Sequence, residues 1–262
     1  MKENRWCKTL KDIILGIIVG VANIVPGVSG GTFLFISGKY EKLIEAVNSL
    51  LKFKADRKKF LFLLKIGLGI VFGIIIFSKL LDFLYQNYSE YCLAVFSGFI
   101  AGGVVSMSKK VSLTPLSIFI TILAFIMSLI LLFSTPRDLP PEFFILVLGG
   151  IFAAFSMVLP GISGSFILLI MGIYDDVIHA VSKVNMKILV PVGIGMIIGF
   201  ILVFKALEIF VKRSWNTTIA FLLGLTIAGV IRIFPYRMNF LTILLLVLSF
   251  STALKFPTFF GK

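Results

Sequence analysis

Two stretches, NIVPGVSGGTFLF at 23–35 and MVLPGISGSFILL at 157–169, set proline, glycine and hydroxyl side chains inside otherwise apolar runs. Proline lacks the amide donor and clashes with the preceding turn, while adjacent glycines open backbone conformations closed to other residues, so each stretch breaks a helix. A break frees backbone N–H groups. A helix restarting near Gly30 or Gly31 aims them, with the positive end of its dipole, at whatever lies before it. Such an end suits an anion, phosphate above all. The candidate binding residues are therefore Pro26, Gly27, Ser29, Gly30, Gly31 and Thr32 in the first break and Pro160, Gly161, Ser163, Gly164 and Ser165 in the second. Ser29, Thr32, Ser163 and Ser165 would add hydroxyl donors or caps. Asn23 and Ser156, near the ends of the preceding arms, are placed to supply polar contacts. A tight loop or close helix packing would use the same glycines, but recurrence of six similar residues in two places favours binding.

Other polar groups offer less. Lys79 with Asp82 and Lys205 with Glu208 are i,i+3 pairs, read as self-neutralised or snorkelling near span ends. Arg232 has no counterpart in the first half, where Ser106 stands, and two roles are open to it. It would receive a phosphate from the outer leaflet, or anchor the interface with Tyr236 and Arg237. The single histidine, His179, reads as interfacial, and Asp175 and Asp176 have no second cluster with which to cage a metal. No zinc pattern, P-loop or Ser-His-Asp set occurs, so neither catalysis nor a metal or cofactor is expected. Cys7 and Cys92 are too few for a disulfide framework.

The elements that must position these residues follow from composition. The chain has 262 residues, 59% of them hydrophobic and 14% charged, with a mean hydropathy of +1.09. A soluble domain carries about 25% charged residues. Several apolar runs reach the roughly 20 residues needed to cross a bilayer, where every backbone group must be paired internally. The class is an all-α polytopic membrane protein. The apolar N-terminal run lacks a small-residue cleavage site and is read as retained. The net charge of +13 gathers in short loops and reads as topology rather than nucleic-acid binding. The loop KFKADRKK also has the composition to attract anionic headgroups.

The chain matches itself. PGVSGGTFLFISGKYEKLIEAV lies over PGISGSFILLIMGIYDDVIHAV, and Gly67, Gly69, Gly73, Gly98 and Gly103 meet Gly193, Gly195, Gly199, Gly224 and Gly229. Lys and Arg flank residues 12–38 on both sides, so this segment is read as a re-entrant hairpin entering from the cytoplasm, its first arm of about 13 residues reaching about 20 Å. Spans are expected at 60–85, 91–108, 187–211 and 216–234. The domain reading is repeat 1 at 13–106, a linking helix at 113–133, repeat 2 at 143–234 with its hairpin at 143–172, and a C-terminal transmembrane helix at 239–256. Each repeat is a hairpin plus two transmembrane helices, so the linking helix inverts the second copy, with both termini cytoplasmic. Kinked segments that cross fully, giving parallel repeats, are the alternative. The spacings Gly16/Gly20, Gly69/Gly73, Gly98/Gly102 and Gly195/Gly199 read as helix packing.

VANIVPGVSGGTFLFISGKYEKLIEAV and FSMVLPGISGSFILLIMGIYDDVIHAV resemble the paired motifs of a prokaryotic membrane family associated with polyprenyl-phosphate translocation, the PopT type, over nearly the whole chain. The resemblance implies transport of undecaprenyl phosphate across the cytoplasmic membrane, from the outer leaflet back to the inner, for reuse in cell-envelope synthesis. The family's motif falls on Pro26, Gly27, Ser29, Gly30 and Gly31 and on Pro160, Gly161, Ser163 and Gly164. Ser165 stands where the first copy has Gly31, which makes the tips unequal. The implied partners are the polyprenyl phosphate lipid and surrounding membrane lipids, with a proton or sodium ion as candidate coupling ion. The alternative is a small-anion channel or transporter for chloride or phosphate, since broken-helix amides serve those ions too.

Overall fold

The computed structural model describes residues 5–25, 27–54, 56–134 and 139–260, so Pro26 lies outside the described residues. All regular structure among them is helical. In chain order the helices are α1 (Arg5–Ile24), α2 (Gly30–Ile36), α3 (Tyr40–Leu51), α4 (Arg57–Ser108), α5 (Pro115–Leu132), α6 (Phe143–Val158), α7 (Gly164–Ile170), α8 (Tyr174–Lys183), α9 (Met186–Arg213), α10 (Trp215–Arg232) and α11 (Phe240–Phe260). Five of them, α4, α5, α9, α10 and α11, are long and apolar enough to cross a membrane.

Local chemistry sets the boundaries. Thr114 and Ser117 close a reciprocal capping box ahead of α5, whose first residue is Pro115, satisfying amides that have no partner inside the helix. Asp56, Asn185 and Ser214 cap α4, α9 and α10. The 52 residues of α4 would extend about 78 Å at 1.5 Å per residue, well beyond a bilayer core. The helix is broken at Tyr88 (φ −138°, ψ 38°), and its two limbs take different neighbours. Both expected spans, 60–85 and 91–108, fall inside it.

The order helix, break, short helix, sharp turn, amphipathic helix occurs twice, as α1–α2–α3 and α6–α7–α8. The turns need backbone that glycine supplies: Gly27 (φ +84°) and Gly38 (φ +73°) in the first series, Gly161 (φ +87°) and Gly172 (φ +75°) in the second. L side chains reach this left-handed region only with strain. The bend between α7 and α8 is 117°.

Helix packing rests on close backbone approach. Gly16 and Gly20 of α1 lie against Ile66, Gly69, Ile70 and Gly73 on the first limb of α4, and Gly150 of α6 lies against Val192 and Gly195 of α9. Without a hydrophobic force between helices in lipid, such contacts gain van der Waals energy that larger residues would prevent. The Gly98 and Gly102 edge of α4 meets Leu246 and Phe250 of α11, whereas Gly224 of α10 meets Thr121 and Ala124 of α5. Phe33, Phe99, Phe256 and Phe260 pack ring to ring in succession where α2, α4 and α11 meet, with centroids 4.8–5.4 Å apart. These phenylalanines therefore belong to an internal seam.

One expectation about the first arm is corrected. It runs 20 residues, Arg5–Ile24, or about 30 Å, rather than about 13. Its Lys8, Lys11 and Asp12 hide the helix from a hydropathy reading, yet the helix continues through them, with Lys11 over the Phe259 ring at 5.1 Å and Asp12 turned toward α3. Asp12, only 4% exposed, lies 3.9 Å from Lys42 of α3.

Candidate functional site

The first break is closed and internally bonded. The Gly30 amide donates to Asn23 Oδ1 at 2.9 Å, so Asn23, on the last turn of α1, takes one of the donors that the restart of α2 releases. Ser29 occupies the N-cap without making a cap bond. Its hydroxyl is buried and has no hydrogen-bond partner among the described residues. The expectation that Ser29 caps is thus corrected: Asn23 reaches the amide first.

At the second break Ser163 is the N-cap of α7, again without a cap bond. Its hydroxyl pairs with that of Ser165 at 2.9 Å. Ser156 is not brought to the tip, because its hydroxyl donates to the Phe152 carbonyl at 2.7 Å. A serine inside a helix has that carbonyl within reach.

The two breaks touch. Thr32 Oγ1 accepts from the Gly161 amide at 2.9 Å, and a Cβ on Gly31 would come within 2.6 Å of the Val158 carbonyl oxygen. The same carbonyl accepts from the Tyr40 hydroxyl at 2.9 Å. Burial pushes the Tyr40 phenol above its usual pKa range, so it stays a donor. Gly161 lies against Leu225 and Thr226, and Gly229 against Gly161, which fastens the second tip to α10.

Arg232 ends α10 where both breaks converge. Its guanidinium carbon stands 3.4 Å from the centroid of the Phe166 ring on α7. Its Nε lies 3.8 Å from where a Cβ on Gly27 would project. One permanent cation thus lies beside the first tip and on the helix that restarts after the second. Stacking on an aromatic face holds the planar group while leaving its N–H edge free to meet an anion. The charge matters because α2 and α7 run only seven residues each, too short to build much of a macrodipole. The positive ends of these two helices are therefore weak, and the Arg232 guanidinium is the stronger positive group beside the breaks.

The breaks differ in exposure. All seven residues of α2 are buried, but only Gly164 and Leu168 of α7 are. Three contacts tie α3 and its C-cap to the other half of the chain. They are the Tyr40 bond, an Asn48 Nδ2 bond to the Phe204 carbonyl at 2.8 Å, and Lys52 on Glu208 at 2.6 Å. Glu208 also receives Lys212 at 2.6 Å, while Asp82 accepts from Gln86. The expected i,i+3 pairs with Lys205 and Lys79 do not form, since these i+4 partners and the end of α3 reach the carboxylates instead.

His179 is exposed, and no group of His, Cys, Asp or Glu among the described residues is spaced to hold a metal. Sequence reasoning passed over Phe166, Tyr40 and Asp12. Asp12 carried a signal, as the acidic residue next to an apolar arm. Phe166 carried one as well, since it follows Ser165 inside the second break and stands where the first break has Thr32.

Broken helices that meet beside an arginine, among five candidate spans, define a multi-pass helical membrane protein of the kind in which transporters build binding sites. The chain belongs to the undecaprenyl phosphate translocase-like family, whose model matches residues 19–244. It is 32% identical over 243 residues to a polyprenyl-phosphate transporter of Vibrio cholerae serotype O1, covering 87% of this chain and 78% of that one. It is 27% identical over 281 positions to a polyprenyl-phosphate transporter of Staphylococcus aureus, covering 97% and 96%. No solved structure matches the chain.

Proposed function

We propose that this protein moves a polyprenyl phosphate, undecaprenyl phosphate in the first instance, across the cytoplasmic membrane, and that the phosphate binds between the two breaks beside Arg232. The observation that carries this is the placement of Arg232 against Phe166 and next to Gly27. A lipid phosphate already has its tail in hydrocarbon, so its barrier to crossing is the charged head. One guanidinium, with tip amides and the Ser163 and Ser165 hydroxyls, offsets that charge without a nucleophile or metal. The role is transport rather than catalysis.

The arrangement is an inverted-topology repeat of re-entrant hairpins, with both chain termini cytoplasmic. Loop charge supports this, as most of the 25 Lys and Arg fall in the segments assigned to the cytoplasm. The exchanged packing supports it as well. Because α11 sits on the Gly98 edge and α5 on the equivalent Gly224 edge, α5 and α11 are counterparts and each repeat owns three spans. The linking helix then belongs to the first repeat. A conformer with the first break buried and the second exposed is one end state. Release of the α3 contacts would expose the first break in the other, by rocking of one repeat against its partner.

The test is reconstitution in liposomes with undecaprenyl phosphate, following headgroup exposed outside. Equilibration faster than in empty liposomes, and lost in Gly30→Leu, supports translocation through the breaks. Chloride or inorganic phosphate flux without lipid movement would establish the small-anion transporter instead.

A further inference from the structure

The structure contains an apolar cleft of about 380 Å³ between α5, α6, α9 and α10, within the roughly 300–1,000 Å³ of small-molecule sites. Phe155, Leu159, Val203, Leu207, Phe210 and Phe221 form most of its wall. No charged side chain lines it. Of its two hydroxyls, Thr218 donates to the Ser214 carbonyl at 2.8 Å and Thr217 accepts from the Ser214 hydroxyl at 2.7 Å, which leaves a single hydroxyl proton to spare. With no charged group and one spare hydroxyl proton, the cleft suits hydrocarbon far better than a charged headgroup.

The cleft reaches the chain just before the second break. Leu159 is the C-cap of α6 and leads through Pro160 into Gly161, whose amide is tied to Thr32. A chain lying against Leu159 therefore starts within two residues of the second break. At the other end, Phe210 precedes Lys212 and Arg213, which fits a cleft running from the centre toward the cytoplasmic leaflet on the orientation given above.

We infer that this cleft holds the isoprenoid chain of the transported lipid while its phosphate occupies the breaks. This rests on the transport reading and deepens it: the cleft selects for a long apolar chain, whereas Arg232 selects for the phosphate. Ala206 also lines the wall, and a larger side chain there would fill the space without touching the breaks.

The experiment has two arms. In liposomes, translocation of undecaprenyl phosphate is compared with that of geranyl phosphate for the parent, Ala206→Leu and Ala206→Phe. The ratio of long-chain to short-chain rates should fall about tenfold in Ala206→Phe, and less in Ala206→Leu, as expected when a hydrophobic pocket loses room for a few methylenes. In the parent, an undecaprenyl phosphate analogue with a photoreactive chain should label α5, α9 and α10, and unlabelled undecaprenyl phosphate should compete. An unchanged ratio in both variants, or labelling that phosphatidylglycerol displaces equally well, would overturn the cleft as an isoprenoid site. Failure of the parent to move either lipid would overturn the transport reading as well.

Discussion

The Thr32 hydroxyl accepts a hydrogen bond from the Gly161 amide at 2.9 Å, joining residues 129 apart in the chain. Thr32 is 1% exposed, so no solvent replaces it readily. Thr32→Val removes the acceptor and leaves the half-buried Gly161 amide unpaired, at a cost of about 1 kcal/mol. The thermal midpoint in detergent should fall for Thr32→Val and recover in Thr32→Ser. Equal midpoints for the parent and Thr32→Val would mean that the breaks are held together by other contacts.

The glycines at matching positions of the two breaks should differ in tolerance. Gly161 combines a positive φ with backbone of Leu225 and Thr226 directly in the path of a Cβ, whereas a Cβ on Gly27 would meet only the Ile233 side chain at 3.1 Å and Arg232. Conformational strain alone costs more than about 1 kcal/mol where alanine cannot adopt the native backbone. Gly161→Ala is expected to lower the yield of monodisperse protein and its melting temperature well below those of Gly27→Ala, as size-exclusion profiles and thermal scans would record.

Arg232 should be needed as a planar cation. Arg232→Gln is expected to slow lipid-phosphate translocation at least about tenfold, the equivalent of about 1.4 kcal/mol. Arg232→Lys should restore part of the rate, since a lysine keeps charge but loses stacking and the bidentate fork. Phe166→Leu should weaken translocation while leaving the charge in place. Full activity in Arg232→Gln would remove this residue from the site.

Lys42 gives a pH signature outside the spans. Burial lowers its pKa to about 8, although the Asp12 charge opposes the shift, and its ammonium lies 3.6 Å from the Phe62 ring centroid. Between pH 8 and the ordinary lysine value of 10.5, the unfolded chain binds more protons at this site than the folded one. Stability contributed by this group therefore rises with pH across that window and is flat below it. The difference in thermal midpoint between the parent and Lys42→Met should grow in the parent's favour from about pH 8 to about pH 9.5. A constant difference across the range would place Lys42 in a fully hydrated setting.

Much of the architecture was legible in the sequence because its causes are local. Pro-Gly pairs break helices wherever they stand, so the interruptions after Ile24 and Val158 follow from a few neighbouring residues. Apolar runs of span length placed α5, α9, α10 and α11 to within a few residues, and the self-match brought Gly27 over Gly161 and Gly38 over Gly172, four positions that share a positive φ. The length of α1 was not legible. Its charged first turns are stabilised by Lys42 and other partners that come from later elements, and hydropathy does not count partners.

Sequence by itself determined where the Pro-Gly breaks fall and that the two halves share one motif pattern, because these depend on rules acting within a turn or two of chain; that 60–85 and 91–108 form one helix bent at Tyr88 was left to the fold. Tertiary structure alone decided that Asn23 rather than Ser29 takes the Gly30 amide, that Thr32 holds Gly161, that Arg232 stacks on Phe166, and that α5 packs on the Gly224 edge of α10 and α11 on the Gly98 edge of α4. Each of these joins groups whose distance is set by the packing of whole helices. No property of either partner read alone contains that distance.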